Sequence, residues 1–174
     1  DAGVHAKGQT ASFELANYLK TDTIRDGLNH HLRPHPIVVL STEEVNSDFN
    51  ARFSAKLRWY EYKVINRRAP LTLDKNRVWC VHKDINIDKS IEQSKFFIGK
   101  HDLSAFRSIN CQSKTAIKSI NSIDINKNKE EINFVISAKS FLHSQVRIMV
   151  GTLIDIGLDK ISKSVSEIIE LKKR

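Results

Sequence analysis

Residues 117–157, IKSINSIDINKNKEEINFVISAKSFLHSQVRIMVGTLIDIG, pass from the twofold period of a strand to the 3.6-fold period of a helix. Ile132, Phe134 and Ile136 alternate with polar neighbours, and Ile117 to Ile125 forms a second β-branched run. Asn126-Lys127-Asn128-Lys129 between them has the composition of a turn, so the two runs read as a hairpin. Val146, Met149, Val150, Leu153 and Ile154 then fall in an i, i+3, i+4, i+7 stripe, which predicts a helix from about His143 to Ile156 with Gly157 just past its end. A hairpin running into a long amphipathic helix points to an α+β domain, a largely antiparallel or mixed sheet flanked by helices.

Upstream, Arg58 to Ile65 is aromatic and β-branched, and Ile37-Val38-Val39-Leu40 is an apolar run of strand length. Val4, Ala6 and Gly8 alternate with polar residues and suggest a short strand leaving a turn at Asp1. A helix is expected from about Thr23 to Leu32, stopping before Pro34. Another should start with Asp88 as N-cap and run through Ile91, Phe96 and Phe97, with Gly99 as its αL terminator, and a last one should cover Ser164 to about Lys172. No repeat and no Gly, Ser or Pro tract marks a boundary, so residues 1–174 read as one unit. The absence of G-x-G-x-x-G and G-x-x-x-x-G-K-[ST] argues against a doubly wound nucleotide fold.

The 28 Lys and Arg against 20 Asp and Glu leave a net charge of +8, which suits a polyanionic partner or simply a soluble basic surface. No run approaches the roughly 20 apolar residues of a membrane helix, and the start lacks a signal-peptide layout, so the protein reads as cytoplasmic. Cys80 and Cys111 form neither a disulfide framework nor a metal knuckle.

Several residues invite chemical readings. Arg147 shares a helix face with Val150, Gly151 and Ile154, where a guanidinium is costly unless paired, and Gly151 would admit another backbone; the plain alternative is an Arg snorkelling at the edge of the stripe. Small residues around Asp1 allow a turn that presents one carboxylate, as they allow an ordinary Asx turn. Tyr60, Tyr62 and Val64 share one strand face, suited to stacking on a base or to packing in a core. His30, His31 and His35 lack the carboxylate or thiol that would complete a metal set, and His101-Asp102 reads as an acid/base pair, although Ser104 and Arg107 nearby equally suit phosphate contacts or a helix cap.

Four segments, in order, resemble the tRNA pseudouridine synthase A family: Asp1-Ala2-Gly3-Val4-His5-Ala6 with Gly8-Gln9; Phe49 to Ala55 running into Arg58-Trp59-Tyr60-Glu61-Tyr62; Gly99-Lys100-His101-Asp102 with Phe106-Arg107 and Cys111-Gln112-Ser113; and Phe141 to Gly151. The resemblance implies isomerisation of uridine to pseudouridine in the anticodon stem-loop of tRNA, without a cofactor or a metal. It implies Asp1 as the catalytic carboxylate, Tyr60 as the active-site tyrosine and Arg147 as the basic partner of that carboxylate. His5, Arg52, Arg58, Lys100, Arg107 and Lys114 would then contact RNA, and a homodimer with tRNA across both subunits is expected.

The family's Asp follows Gly-Arg-Thr and an N-terminal segment, whereas Asp1 is the first residue here, so the chain is read as a fragment of the catalytic domain. Asn50 stands where His is common and Gln145 where Met is common. Two rival readings stay open: a non-catalytic basic RNA-binding module, and a metal-dependent nuclease using Asp1, His5 and His101.

Overall fold

A computed structural model describes residues 3–172. Contacts divide the chain into two compact units, Asp1–Ala55 and Lys56–Arg174. In the first, α1 (Thr21–His31) is the regular element, ending before Pro34 as the sequence requires. None of the described residues of this unit is buried, although it carries Phe13, Tyr18, Ile37, Val38, Leu40 and Phe53. The strands expected at residues 4–8 and 37–40 do not form. For the second the reason is visible: the Asn29 amide donates to Val39 O at 2.9 Å and accepts from Val39 N at 2.8 Å, so a side chain supplies what a neighbouring strand would.

The second unit is the α+β domain. β1 (Arg58–Asn66), β2 (Trp79–Val81), β3 (Gly99–Asp102), β4 (Ile117–Asn128) and β5 (Glu131–Ala138) form a mixed sheet in the order β2-β1-β5-β4-β3. β1 runs parallel to β2 and antiparallel to β5, while β4 is antiparallel to both β5 and β3. Four helical segments accompany these strands: α2 (Ile87–Ser94) continuing into a 3₁₀ turn, a second 3₁₀ turn at Ser104–Phe106, α3 (Gln145–Gly157) and α4 (Val165–Leu171).

Strand period decides which face is covered. Val64, Ile132, Phe134, Ile136 and Ala138 are each 0% exposed and meet Met149, Leu153 and Ile154 of α3 in one core. Each such large side chain contributes roughly 1.5–3 kcal/mol by leaving water. The alternate positions carry polar pairs among Trp59, Ile65 and Val135: Asn133 Nδ2 donates to Glu61 at 2.8 Å, and the hydroxyls of Ser122 and Ser137 bond at 2.7 Å.

Several boundaries differ from the sequence reading. Lys127 pairs with Ile132 and Asn128 with Glu131, so β4 extends through the expected turn, which falls instead at residues 129–130 with Lys129 at φ 54°. Asn86, not Asp88, caps α2, its side chain accepting from Lys89 N at 3.1 Å. Gly99 has the expected positive φ, 106°, but opens β3 after the 3₁₀ turn rather than ending a helix. Gly157 is the last residue of α3, and the left-handed position comes later, at Asp159. Its hydrogen side faces α2: a Cβ there would lie 2.6 Å from Ser90 Oγ, 2.8 Å from Ile85 Cγ2 and 3.0 Å from Asn86 O. Gly151, expected to admit a close backbone, has no described atom within 4 Å of such a Cβ. α4 begins with a capping box between Ser164 and Glu167.

Candidate active site

Sheet register builds the site. Arg58 lies opposite Ala138, Ala138 opposite Ile120 and Ile120 opposite Gly99, so the first residues of β1 and β3 share one end of the sheet, spanned by three strand spacings or about 14 Å. The chain leaves β5 at this end and enters α3 through residues 139–144. That loop is tied to its surroundings: the Arg58 guanidinium donates to Lys139 O, and Ser108 N donates to His143 O at 3.0 Å. Phe141 packs edge-on against Tyr60, with ring centroids 5.1 Å apart and planes at 87°.

The turn into α3 is fixed from inside. Gln145, 1% exposed, accepts from Leu142 N through Oε1 at 2.7 Å and donates its own N–H to Leu142 O at 3.1 Å, while Nε2 meets Met149 Sδ at 3.6 Å. Ser144 is thereby held in the left-handed region, φ 61° and ψ 10°, which costs a residue with a Cβ about 1–2 kcal/mol. Its Oγ accepts from Arg147 Nη2 at 2.8 Å.

Arg147 is exposed, whereas Val150 and Ile154 on its side of α3 are fully buried, so the residue sits at the margin of the stripe and its head reaches water. Of the two sequence readings, this is the Arg snorkelling at the edge of the stripe. Tyr62, half-buried on β1, feels that charge: burial pushes its phenol up, and Arg147 pulls it partly back. Tyr60, Tyr62, Phe141 and Arg147 thus form one neighbourhood. On the adjoining segment, burial pushes the Cys111 thiol up, but N–H groups of Ser113 and His143 and the charges of Arg107 and Lys118 outweigh it and leave the thiol below its usual value.

The other expected residues are distributed as follows. Asp1 lies outside the described residues. His5 and Arg52 belong to the first unit and are exposed. The Arg52 guanidinium stands 5.6 Å from the Phe53 ring centroid, in a turn whose N–H groups at Arg52 and Phe53 bond to Asn50 Oδ1. Arg58, Lys100, Arg107 and Lys114 belong to the second unit. Lys100 follows Gly99 at the sheet end just described, and Arg107 adjoins Ser108, which holds the His143 carbonyl.

Asp102, read as half of an acid/base pair, accepts from the Ser104 hydroxyl and N–H, an Asx turn leading into the Ser104–Phe106 turn, and meets Lys172 at 3.6 Å. His101 Nε2 bonds to Ile98 O at 3.0 Å. No group of three or more His, Cys, Asp or Glu among the described residues could hold a metal ion. Ser144 and Lys118 were not singled out from sequence; a serine at a helix start signals a cap, and nothing in its identity announces a left-handed backbone.

Comparison with known proteins gives concordant findings. A family model described as tRNA pseudouridine synthase matches residues 94–174. The tRNA pseudouridine synthase A of Ehrlichia chaffeensis is 49% identical over 175 residues, covering 100% of this chain and 71% of the relative. That of Anaplasma phagocytophilum is 47% identical with the same coverage, and that of Parvibaculum lavamentivorans is 46% identical over 90% of this chain and 64% of its own length. The chain therefore spans about two thirds of the relatives it matches.

Proposed function

Given that the chain belongs to the tRNA pseudouridine synthase A family, whose members are isomerases, we propose that it converts uridine to pseudouridine in the anticodon stem-loop of tRNA, with Asp1 as nucleophile or base. The observation that carries this reading is the gathering of an exposed guanidinium, Arg147, with Tyr60, Tyr62 and Phe141 at one end of the sheet. A flipped uracil offers a flat ring to stack on Tyr60, and a cation at that position favours an ionised carboxylate beside it.

The reaction breaks the C1′–N1 bond, turns the uracil and forms C1′–C5. The proton on C5 leaves and N1 gains one, so atoms balance with no net oxidation. Asp1 supplies the carboxylate, Arg147 keeps it charged and aimed, and Tyr60 holds the base or assists proton removal at C5. Arg58, Lys100, Arg107 and Lys114 take phosphates around the loop, and His5 and Arg52 add contacts from the first unit; such contacts set affinity and register without reading bases.

We place the protein in the cytoplasm, where its substrate is, and expect two copies to receive one tRNA. No described helix is long and apolar enough to cross a membrane.

The test is pseudouridine formation in an unmodified tRNA transcript by the full-length protein and by its Asp1→Asn variant. Product from the parent, none from the variant and equal tRNA binding by both are expected. Tight binding with no product from the parent would replace the enzyme by a non-catalytic RNA-binding module.

A further inference from the structure

Among the described α-helices, α3 and α4 each start from a serine, and the two serines behave differently. Ser164 has an extended backbone, φ −69° and ψ 160°, and its Oγ accepts from Glu167 N at 3.2 Å, the ordinary work of an N-cap. Ser144 occupies the same position on α3 but has a left-handed backbone and makes no side-chain cap. Its Oγ turns instead to Arg147 Nη2, one helical turn on.

The conformation of this turn does not depend on that hydroxyl. Gln145 fixes it through both bonds to Leu142, and Ser108 holds the preceding carbonyl of His143. What the hydroxyl does is restrain a long, exposed, rotamer-rich side chain at its far end. The guanidinium is thereby kept on the side of α3 that meets β1, where Tyr62 feels its charge.

We propose that Ser144 is a positioning residue for the isomerisation: by accepting one Arg147 N–H it presents the guanidinium in a single orientation to the catalytic carboxylate. This rests on the function proposed above. A preformed cation is worth more to the transition state than one that must be ordered during the reaction, because orientation is already fixed when charge develops.

The backbone makes the test clean. Glycine is at ease at φ 61°, so Ser144→Gly removes the hydroxyl while favouring the turn, and Ser144→Asn tolerates the left-handed region and restores an acceptor oxygen. In the full-length protein, three quantities are read for the parent and both variants: single-turnover pseudouridine formation, tRNA Kd and the urea midpoint.

Ser144→Gly is expected to keep or raise the midpoint, leave Kd within about twofold and slow the chemical step about tenfold, equivalent to about 1.4 kcal/mol. Ser144→Asn should recover the rate to within about threefold of the parent. An active parent with a Ser144→Gly variant at parental rate overturns the assignment, as does a rate loss matched by an equal loss of tRNA affinity, or a slow Ser144→Asn. A parent that forms no pseudouridine refutes the function itself and this role with it.

Discussion

Two identical substitutions in α3 should change stability in opposite directions. At Gly157 an added methyl would stand 2.6 Å from Ser90 Oγ, 2.8 Å from Ile85 Cγ2 and 3.0 Å from Asn86 O. None of these neighbours yields freely. Ser90 is fully buried with its hydroxyl bonded to Leu153 O at 2.9 Å, and Asn86 is held to Gly157 by a backbone bond of 2.9 Å. Relief means rotating Ser90 and losing a bond worth about 0.5–1.5 kcal/mol, or moving α2 off α3.

Overpacking of this kind costs about 1–3 kcal/mol, and the helix preference of alanine over glycine, up to about 1 kcal/mol, recovers part of it. A net loss of about 1–2 kcal/mol is expected for Gly157→Ala. At Gly151 no described atom lies within 4 Å, so the helix preference acts alone and Gly151→Ala should gain about 0.5–1 kcal/mol. Urea unfolding followed by circular dichroism reads both. Midpoints that move in the same direction, or a gap below about 0.5 kcal/mol, would refute the idea that contact between α2 and α3 sets the sign.

Two further outcomes follow from the second unit. The Ser104 hydroxyl, then its N–H and Lys172, outweigh burial and hold the Asp102 carboxyl below its usual range, so the folded state favours the ionised form. The stability this contributes is present above the unfolded carboxylate pKa of about 4 and is lost as pH falls through the lower folded value. Asp102→Asn should therefore flatten the decline of the urea midpoint below about pH 4, and an unchanged acid limb would count against the Asx turn. Phe141→Ala should destabilise by about 1–3 kcal/mol, and a double-mutant cycle with Tyr60→Ala should return a coupling of about 0.5–1.5 kcal/mol; zero coupling would mean the edge-on pair contributes nothing.

The parts of the domain that could be read from sequence are those whose residues carry a long period. β5 and α3 bury alternate or helically spaced apolar side chains, and β1 and β4 carry β-branched or aromatic runs around one buried residue each, Val64 and Ile120, so the pattern survives in the letters. β3 could not be read because Gly99-Lys100-His101-Asp102 is polar, and only its ladder with residues 117–120 makes it a strand. Trp79-Cys80-Val81 is too short to show a period and owes its form to β1. Ile37-Val38-Val39-Leu40 fails in the other direction: an apolar run of strand length lies in irregular chain, and at Val39 an amide side chain satisfies the backbone in place of a partner strand. At the site, Arg147 and Tyr60 stood out through residue type and position, while the serine that holds Arg147 and the aromatic edge against Tyr60 depend on a turn whose shape is set by the buried Gln145.

The strand order also governs when this domain can assemble. β5, the last of the described strands, is the central one, and β1 and β4 each form their longer ladder on it. On the ribosome, β1 must therefore wait unpaired on its β5 side until roughly 70 further residues have been made, which at about 5–20 residues per second is several seconds. During that interval its tyrosines and valine face solvent or a chaperone. Once β5 emerges, two ladders close on it together, and the loop that carries the candidate site is drawn into place by the same event.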